Sequence, residues 1–441
     1  MPTQPWKLWL ALAGVTATAA AQSADFQPPG QHPSLLLAPA RLRLLKRERE
    51  RQSPRWRQFG SLVAGRAAMP ERAFADALYF QVAGDTEAAR RAIAWALGED
   101  RDLRQLALVF DWCQTALTEP ESTTLAAKLE QAILRPPATT GVDEARSRAF
   151  AAIALAGTAP AASERELRRI VESWWREKVL PSLAGGDDVL PRTSRYALFE
   201  LLHALRDNLN IDLRESARAY FSELPAVDLL SYYPAPYQAP ENEYRIPASA
   251  GGEFDPRAAE SARAADLAMT AYDTTSVGYQ YLQGWLLHDL FMMHGPFGAP
   301  YEFLWANPYQ PGLSYYHAPL ATHDSVLGQL FIRSSWDDDA VWAGFAGGRL
   351  QTFSDGRPRM IDLASPKLLD FGSTVVAVAG DATSFTIENP VGQILLVGLK
   401  PQRRYDIGAG VGERRADRGG IVDVMFTGKG FGGTIRLRLQ R

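Results

Sequence analysis

The first two thirds of the chain carry a helical pattern of apolar and polar positions. From about Leu36 to Met293, apolar residues recur at i, i+3 and i+4 in successive segments such as RAFADALYFQVAG and TEAARRAIAWALG. Several of these segments close with Gly or meet Pro, as helix ends commonly do. The pattern predicts roughly eleven helices with short connections, which antiparallel helix hairpins explain best. No tetratricopeptide-like or ankyrin-like consensus recurs, so a closed array is favoured over an open solenoid.

Near Tyr301 the pattern changes to short β-branched or aromatic runs divided by Gly, Asp, Asn and Pro. The clearest runs are LGQLFIRSSW, AVWAGFAG, KLLDFGSTVVAVAG, TSFTIENP, GQILLVGL, GIVDVMFTG and TIRLRLQ. Such a series predicts a small antiparallel β-sandwich. We therefore expect an α+β multidomain protein, with an incomplete α/α toroid of helical hairpins over residues 22–310 and a β-sandwich over 311–441.

The first 21 residues have the pattern of a secretory signal peptide. Lys7 precedes an apolar run that ends in Ala19-Ala20-Ala21, which resembles an A-x-A cleavage site. The run is too short and too rich in alanine for a transmembrane helix, and no later segment is long and apolar enough to span a membrane. These features predict a secreted or periplasmic protein with no membrane span after signal cleavage.

The composition is that of an ordinary globular protein. Of the 441 residues, 46% are hydrophobic and 22% are charged, and the net charge is −3. This balance, with no basic tail or block, argues against a nucleic-acid partner. The single cysteine, Cys113, cannot form an intrachain disulfide, and its apolar surroundings predict a buried side chain. The sequence leaves the oligomeric state open.

Three segments resemble one known family. HPSLLLAPARLRLLKRERERQSPRWRQF is similar to the opening helix of the heparinase II/III-like proteins, and ALVFDW resembles their inner-helix Asp-Trp segment, here Asp111-Trp112. LFIRSSWDDDAVWAGFAGG resembles their first sandwich hairpin. The resemblance implies an α/α toroid followed by a β-sandwich, and a polysaccharide lyase that cleaves uronate-containing, and therefore anionic, glycans by β-elimination without a cofactor.

The chain departs from this family at its histidines. Family lyases carry an Asn-His pair in the helical domain and an H-x-H-x-D-like segment after the first hairpin. The corresponding regions here read LPRTSRYALFELLHAL and GGRLQTFSDGRPR, and neither has the expected histidine. Arg195 and Tyr196 occupy the approximate Asn-His region and are candidates for neutralising a substrate carboxylate.

The segment YYPAPYQAPENEYRIP, Tyr232–Pro247, interrupts the helices and concentrates reactive side chains. Its prolines exclude a regular helix, so an ordered loop is expected. Tyr244 is our candidate for proton transfer in β-elimination, with Arg245 favouring its phenolate form or binding a carboxylate. The neighbouring candidates for substrate binding are Tyr237, Glu241 and Glu243. The alternative is a packed loop whose tyrosines fill the seam between two domains.

The linker SYYHAPLATHD holds two further catalytic candidates, His317 and His323. Both are expected where the two domains meet, which is a natural position for a binding groove. The alternative is that each is a hydrogen-bonded linker histidine. Trp305, just before the linker, is a candidate for substrate contact. No metal site is predicted, because Asp324 is the sole carboxylate adjacent to the two histidines.

Two other functions stay open. A glycosidase on the same toroid would need two carboxylates facing each other across a groove, and Glu241 or Glu243 with Asp111 would be the pair. A non-catalytic glycan-binding or structural protein would have kept the fold and lost the site. The missing histidines favour this last function, whereas the clustered Tyr, Arg and Glu residues favour an enzyme.

Overall fold

The computed structural model describes residues 26–99, 101–238, 243–248, 256–289, 295–408, 410–426 and 430–439. The predicted signal peptide lies outside the described residues. The helices are α1 Pro39–Glu50, α2 Pro54–Ala64, α3 Arg72–Ala83, α4 Thr86–Leu97, α5 Leu103–Trp112, α6 Glu119–Leu134, α7 Val142–Ala154, α8 Pro160–Arg168, α9 Leu180–Ala184, α10 Arg195–Leu209, α11 Arg218–Leu230, α12 Pro256–Tyr272, α13 Val277–His288 and α14 Ala299–Trp305. A π-helical segment, Arg169–Val179, joins α8 to α9.

Side-chain caps and left-handed residues set many of the helix ends. Asp85 and Asp102 accept hydrogen bonds from the first turns of α4 and α5, which satisfies backbone donors that have no partner inside the helix. Gly84 ends α3 with φ 75°, and Asn210 ends α10 with φ 56°. These signals are local, which is why the sequence pattern locates most of the helices.

The helices form a ring of two layers. In the inner layer, α3, α5, α7, α10, α12 and α14 pack side by side in that order, and α14 returns to pack on α2 and α3. The outer layer contains α4, α6, the long helix from α8 to α9, α11 and α13. Because the chain alternates between the layers, the inner helices all run in one direction. Their first turns therefore lie at one end of the ring, which we call the ring mouth.

The β region begins after a linker that follows α14. Its strands are β3 Ala321–Asp324, β4 Gln329–Arg333, β5 Trp342–Ala346, β6 Arg349–Ser354, β7 Arg357–Ile361, β8 Lys367–Asp370, β9 Thr374–Val378, β10 Ser384–Val391, β11 Gln393–Val397, β12 Arg404–Ile407, β13 Gly412–Arg415, β14 Val422–Met425 and β15 Phe431–Leu439. They form three sheets with the orders β3-β4-β5-β6-β7, β14-β11-β9-β8 and β10-β15-β12-β13.

The middle sheet is buried on both faces. Val376 of β9 and Leu395 of β11 pack against the five-stranded sheet, whereas Val375 and Ile394, on the opposite face, pack against the third sheet. Strands β9 and β11 run parallel, and the other strand pairs described in these three sheets are antiparallel. The predicted α+β architecture, helical first and β second, is confirmed. The β region has a third layer and a parallel pair, which the prediction of a small antiparallel sandwich did not include.

The five-stranded sheet joins the ring at its mouth. Phe331, Trp342 and Phe353 point away from the middle sheet and share one core with the helices. Trp342 Nε1 donates a hydrogen bond to the carbonyl oxygen of Leu230, the last residue of α11, at 2.7 Å. Since α11 is an outer helix, it ends at the end of the ring where the inner helices begin. The β region therefore lies beside the ring mouth.

The proline-rich segment that follows α11 is a short antiparallel ladder. Tyr233 N donates to Ile246 O at 3.0 Å, and the two-residue strands β1, Tyr237–Gln238, and β2, Glu243–Tyr244, pair with each other. This is the non-helical, ordered connection that the prolines predict. Among the described residues, no helix is long and apolar enough to cross a membrane.

Candidate functional site

Three charged side chains from inner helices, and a fourth that directly precedes an inner helix, meet at the ring mouth. Arg104 of α5 donates to Glu200 of α10 at 2.5 and 2.8 Å and to Glu71, just before α3, at 2.6 Å. Arg146 of α7 donates to Glu200 at 2.5 Å. Burial disfavours the charged forms, but the opposite charges outweigh it, so the pKa of Arg104 is raised and that of Glu200 is lowered. Arg104 and Glu200 therefore stay charged, and Glu71, 25% exposed, is the one of the four side chains that meets solvent most.

Two tyrosines border this charged cluster. Tyr301 donates to Glu71 at 2.5 Å, and its ring lies edge-on to that of Tyr196 with centroids 5.4 Å apart. Burial raises the pKa of both phenols well above the ordinary value. Both are therefore neutral hydroxyl groups near pH 7, suited to donating hydrogen bonds rather than to accepting a proton. Tyr196, a predicted substrate-binding residue, is partly exposed here.

Trp305 belongs to the core beneath these tyrosines. It is 1% exposed and donates from Nε1 to the Tyr196 hydroxyl at 3.1 Å. The guanidinium carbon of Arg41 lies 4.3 Å from its ring centroid. The predicted role of Trp305 in substrate contact is therefore wrong for this structure, because packing has taken up both faces and the edge of the indole.

A second charged cluster links the ring mouth to the β region. Asp289, at the end of α13, accepts hydrogen bonds at 3.0 Å from both Arg245 and Arg263. Arg245 also donates to Pro234 O at 2.6 Å and to Asp338 at 3.1 Å. Burial would lower the pKa of Arg245, but the two aspartates outweigh it and raise that pKa. Arg245, a predicted catalytic residue, thus fastens the segment 243–248 to α13 and to the first sheet.

Arg195 and Arg192 form the other end of this network, at the start of α10. Arg195, 5% exposed, pairs with Asp228 of α11. Arg192 lies over the ring of Tyr232, with 4.7 Å from its guanidinium carbon to the ring centroid. The Tyr232 hydroxyl donates to Asp266 at 2.7 Å. Arg195, predicted to bind substrate, is therefore committed to an internal ion pair.

Some donors in this network have no partner within the described part of the chain. They are Nε and Nη2 of Arg192, Nε of Arg195 and Nη1 of Arg263, and all of these atoms are buried. Arg192 keeps 20% of its side chain exposed, whereas Arg263 keeps 4%. A buried guanidinium donor without a hydrogen-bond partner destabilises the protein. An anionic group from a ligand could accept this hydrogen bond and remove the cost. The unpaired nitrogens of Arg192 are buried, but its side chain keeps more exposure than that of Arg263, so Arg192 is the more accessible of these two arginines to an anion.

The two predicted histidines have different surroundings. His317 is exposed and ends a single helical turn, Tyr315–His317. The ring of Tyr315, the first residue of this turn, lies near that of His288. His323 lies on β3, where its Nε2 is 2.8 Å from Asp417. Within the described ranges, no group of three or more His, Cys, Asp or Glu side chains could hold a metal ion.

His323 borders a cleft of about 570 Å³ between the β3–β4 turn and the outer helices α9 and α11. Leu180, Leu183, Val326 and Leu327 provide apolar walls, and Tyr220 also lines the cleft. The cleft therefore includes His323, whereas Arg195 lies in its ion pair with Asp228 and Arg245 belongs to the second charged cluster. The sequence-predicted residues are divided among three places rather than forming one site.

The structure describes only part of the candidate residues in and near the two-residue strands β1 and β2. The backbone of Tyr244 pairs with that of Tyr237, and Glu243 is the other residue of β2. The side chains of these three residues, and the whole of Glu241, lie outside the described residues. The prediction that Tyr244 transfers a proton stays a prediction.

Asp111 has a structural position. Its carboxylate is fully buried and accepts hydrogen bonds from the backbone of Ser34 and Leu35, and it lies 2.6 Å from His32 Nδ1. It holds the segment before α1 and faces no groove. Asp111 is therefore wrong as one of the two carboxylates of a glycosidase.

The sequence did not single out Glu71, Arg192, Asp289 and Tyr301. A signal existed for two of them, because Glu71 and Arg192 directly precede predicted helix starts in MPERAF and LPRTSRY, and the starts of inner helices meet at one end of a ring. Asp289 and Tyr301 carry no local signal, since their partners are distant in the sequence.

No family model matches this chain, and no curated protein shows significant similarity to it. The likeness to heparinase II/III-like proteins therefore stays a prediction based on the three segments quoted above.

Proposed function

We propose that this protein binds a uronate-containing polysaccharide at the ring mouth and cleaves it by β-elimination. The observation that carries the proposal is the unpaired guanidinium donors of Arg192, which lie at the same end of the ring as the partly exposed Tyr196 and Tyr301. An arginine with free donors suits a carboxylate, and tyrosines suit the rings and hydroxyl groups of sugars. In this proposal the protein acts outside the cytoplasm, secreted or periplasmic, as its first 21 residues predict.

The chemistry requires two tasks. The substrate carboxylate must be neutralised so that removal of the adjacent proton becomes possible, and Arg192 would do this. Tyr244 would take the proton and return one to the leaving oxygen. Arg245 supports this arrangement by position, since its hydrogen bonds to Asp289 and Asp338 fasten the residue next to Tyr244.

The test is an ultraviolet assay for the unsaturated sugar that β-elimination creates, run on a panel of uronate polysaccharides. We expect the wild-type protein to produce absorbance and Tyr244→Phe to lose about 10²-fold or more of the rate. Tyr309→Phe is the matched control, because Tyr309 is a linker tyrosine hydrogen-bonded to Glu48 at 2.8 Å. Equal rates for Tyr244→Phe and the wild type would remove Tyr244 from the mechanism.

Glycan binding without cleavage is the second candidate function. It is favoured by the pairing of Arg245, in which each of the three guanidinium nitrogens donates a hydrogen bond, to Asp289, Pro234 O and Asp338. A protein of this kind would migrate more slowly in a gel that contains the polysaccharide. It would release neither unsaturated products nor new reducing ends.

A further inference from the structure

Tyr315 and Tyr316 form a stacked pair in which one ring is buried and the other is open. Their centroids lie 4.5 Å apart with 27° between the ring planes. Tyr315 is 5% exposed, whereas Tyr316 is 53% exposed. The buried ring therefore supports one face of the exposed ring, and much of the exposed ring remains in contact with solvent.

The support beneath Tyr316 is rigid. The ring of Tyr315 meets Trp336 edge-on at 5.5 Å and lies 5.3 Å from the ring of His288. Trp336 is itself anchored, because its Nε1 donates to Ala318 O at 3.2 Å. An aromatic surface that is held in place before a ligand arrives loses little conformational entropy on binding.

Polar groups surround this surface and connect it to the second charged cluster. His317 and His288 are both exposed, so each can exchange hydrogen bonds with a ligand. The ring of Tyr315 lies 5.3 Å from that of His288, which directly precedes Asp289 of the second charged cluster. An apolar protein partner would leave the two imidazoles without partners, whereas a sugar ring offers an apolar face for stacking and hydroxyl groups for the histidines.

We propose that the open face of Tyr316 is a stacking platform for one pyranose ring of the bound polysaccharide, next to the residues that hold Tyr244. This inference rests on the proposed function and deepens it by naming a residue that positions substrate without taking part in proton transfer. His317 and His288 orient the same ring through its hydroxyl groups.

The test compares Tyr316→Ala, Tyr316→Trp and Tyr309→Ala in the full-length protein. Tyr309 is the matched control, since it is 51% exposed on the same linker but lies over Arg51 with its hydroxyl bonded to Glu48. We expect Tyr316→Ala to raise KM for the polysaccharide about tenfold with kcat unchanged. Tyr316→Trp should keep KM within about twofold, because it preserves the stacking surface. Titration calorimetry with a uronate oligosaccharide gives the same comparison without turnover.

The outcomes separate this inference from the proposed function. If the wild type cleaves or binds and Tyr316→Ala matches Tyr309→Ala, the platform is overturned and the proposed function stands. If Tyr316→Ala lowers kcat with KM unchanged, Tyr316 acts in the chemistry and the positioning role is overturned. If the wild type neither binds nor cleaves any polymer of the panel, both proposals are overturned. Circular dichroism of each variant verifies that it is folded.

Discussion

Nε2 of His323 and Oδ2 of Asp417 lie 2.8 Å apart, and this contact joins the first strand of the β region to the loop before β14. Asp423 stands 3.7 Å from the other ring nitrogen. Burial would lower the pKa of His323, but the hydrogen bonds and charges of Asp417 and Asp423 outweigh it and raise that pKa to about 9. The imidazolium therefore helps to hold three segments of the β region together.

The stability of the protein should fall in a defined pH range because of this contact. The pKa is raised in the folded state, so the stabilisation is fully present below about pH 6.5 and is lost as the pH rises to about 9. The shift corresponds to roughly 3–4 kcal/mol for this side chain. Urea unfolding across that range should show the loss in the wild type and not in His323→Gln. Parallel pH profiles for the two proteins would contradict the assignment.

Removing the charge of Glu200 should destabilise the ring strongly. Glu200→Gln would leave the buried guanidinium groups of Arg104 and Arg146 without a full counter-charge, which typically costs about 3–5 kcal/mol. The free energy of unfolding from urea titration is the measurement. Glu164→Gln is the control, because Glu164 lies in a surface pair with Arg168 and its loss should leave the unfolding midpoint unchanged.

Two glycines of α13 should respond in opposite directions to alanine. A Cβ on Gly284 would overlap the carbonyl oxygen of Leu313 in the linker, whereas a Cβ on Gly278 would make an ordinary contact with Pro225 at 3.5 Å. Gly284→Ala should therefore lose about 1–3 kcal/mol through displacement of the linker. Gly278→Ala should gain up to about 1 kcal/mol from helix propensity. The measurement is the thermal unfolding midpoint of each variant. Equal changes in the two midpoints would mean that Leu313 of the linker does not pack against Gly284.

Trp305 should act through stability rather than through substrate binding. Trp305→Ala removes a side chain that is 1% exposed, so a loss of about 3–5 kcal/mol is expected. Among molecules that remain folded at low temperature, KM for the polysaccharide should match that of the wild type. A higher KM with unchanged stability would restore the substrate-contact role that the sequence first indicated.

Arg192 should govern affinity for the anionic polymer. Arg192→Gln removes the unpaired donors at the ring mouth and should raise KM about tenfold or more, an effect that added salt should also produce in the wild type. Arg404→Gln is the matched control, since Arg404 is 72% exposed on β12. If both variants lower affinity equally, general electrostatic attraction explains binding better than a specific site.

Local sequence patterns predicted the elements well because their causes are local. Periodicity located the helices, caps such as Asp85 and Asp102 set their starts, and the prolines of Tyr232–Pro247 excluded a helix there. The β9 and β11 runs, TVVAV and QILLV, lack polar alternation, which is typical of strands buried on both faces. The third sheet could have been suspected from these runs, but the parallel pairing of β9 with β11 could not, since β10 lies between them in the sequence and belongs to another sheet.

The candidate site was predictable only in fragments. Arg104 and Glu200 are 96 residues apart in the sequence, and Arg245 and Asp338 are 93 apart, so no local pattern links them. The resemblance to heparinase II/III-like proteins led to Arg195 and Tyr196, and reactive residue types led to Arg245 and the two linker histidines. The partners of these residues decide whether each is free to bind a ligand. Only the tertiary contacts show which partners they have.

The sequence by itself determined the order of a helical part and a β part, the break at Tyr232–Pro247 and the burial of Cys113, because each depends on neighbouring residues and on hydrophobicity. The tertiary structure decided that Trp305 and Asp111 are internal, that Arg245 is paired twice, and that Arg192 keeps unpaired donors. The physical reason is that exposure and ion pairing are set by segments that meet only when the ring closes and the first sheet packs beside its mouth.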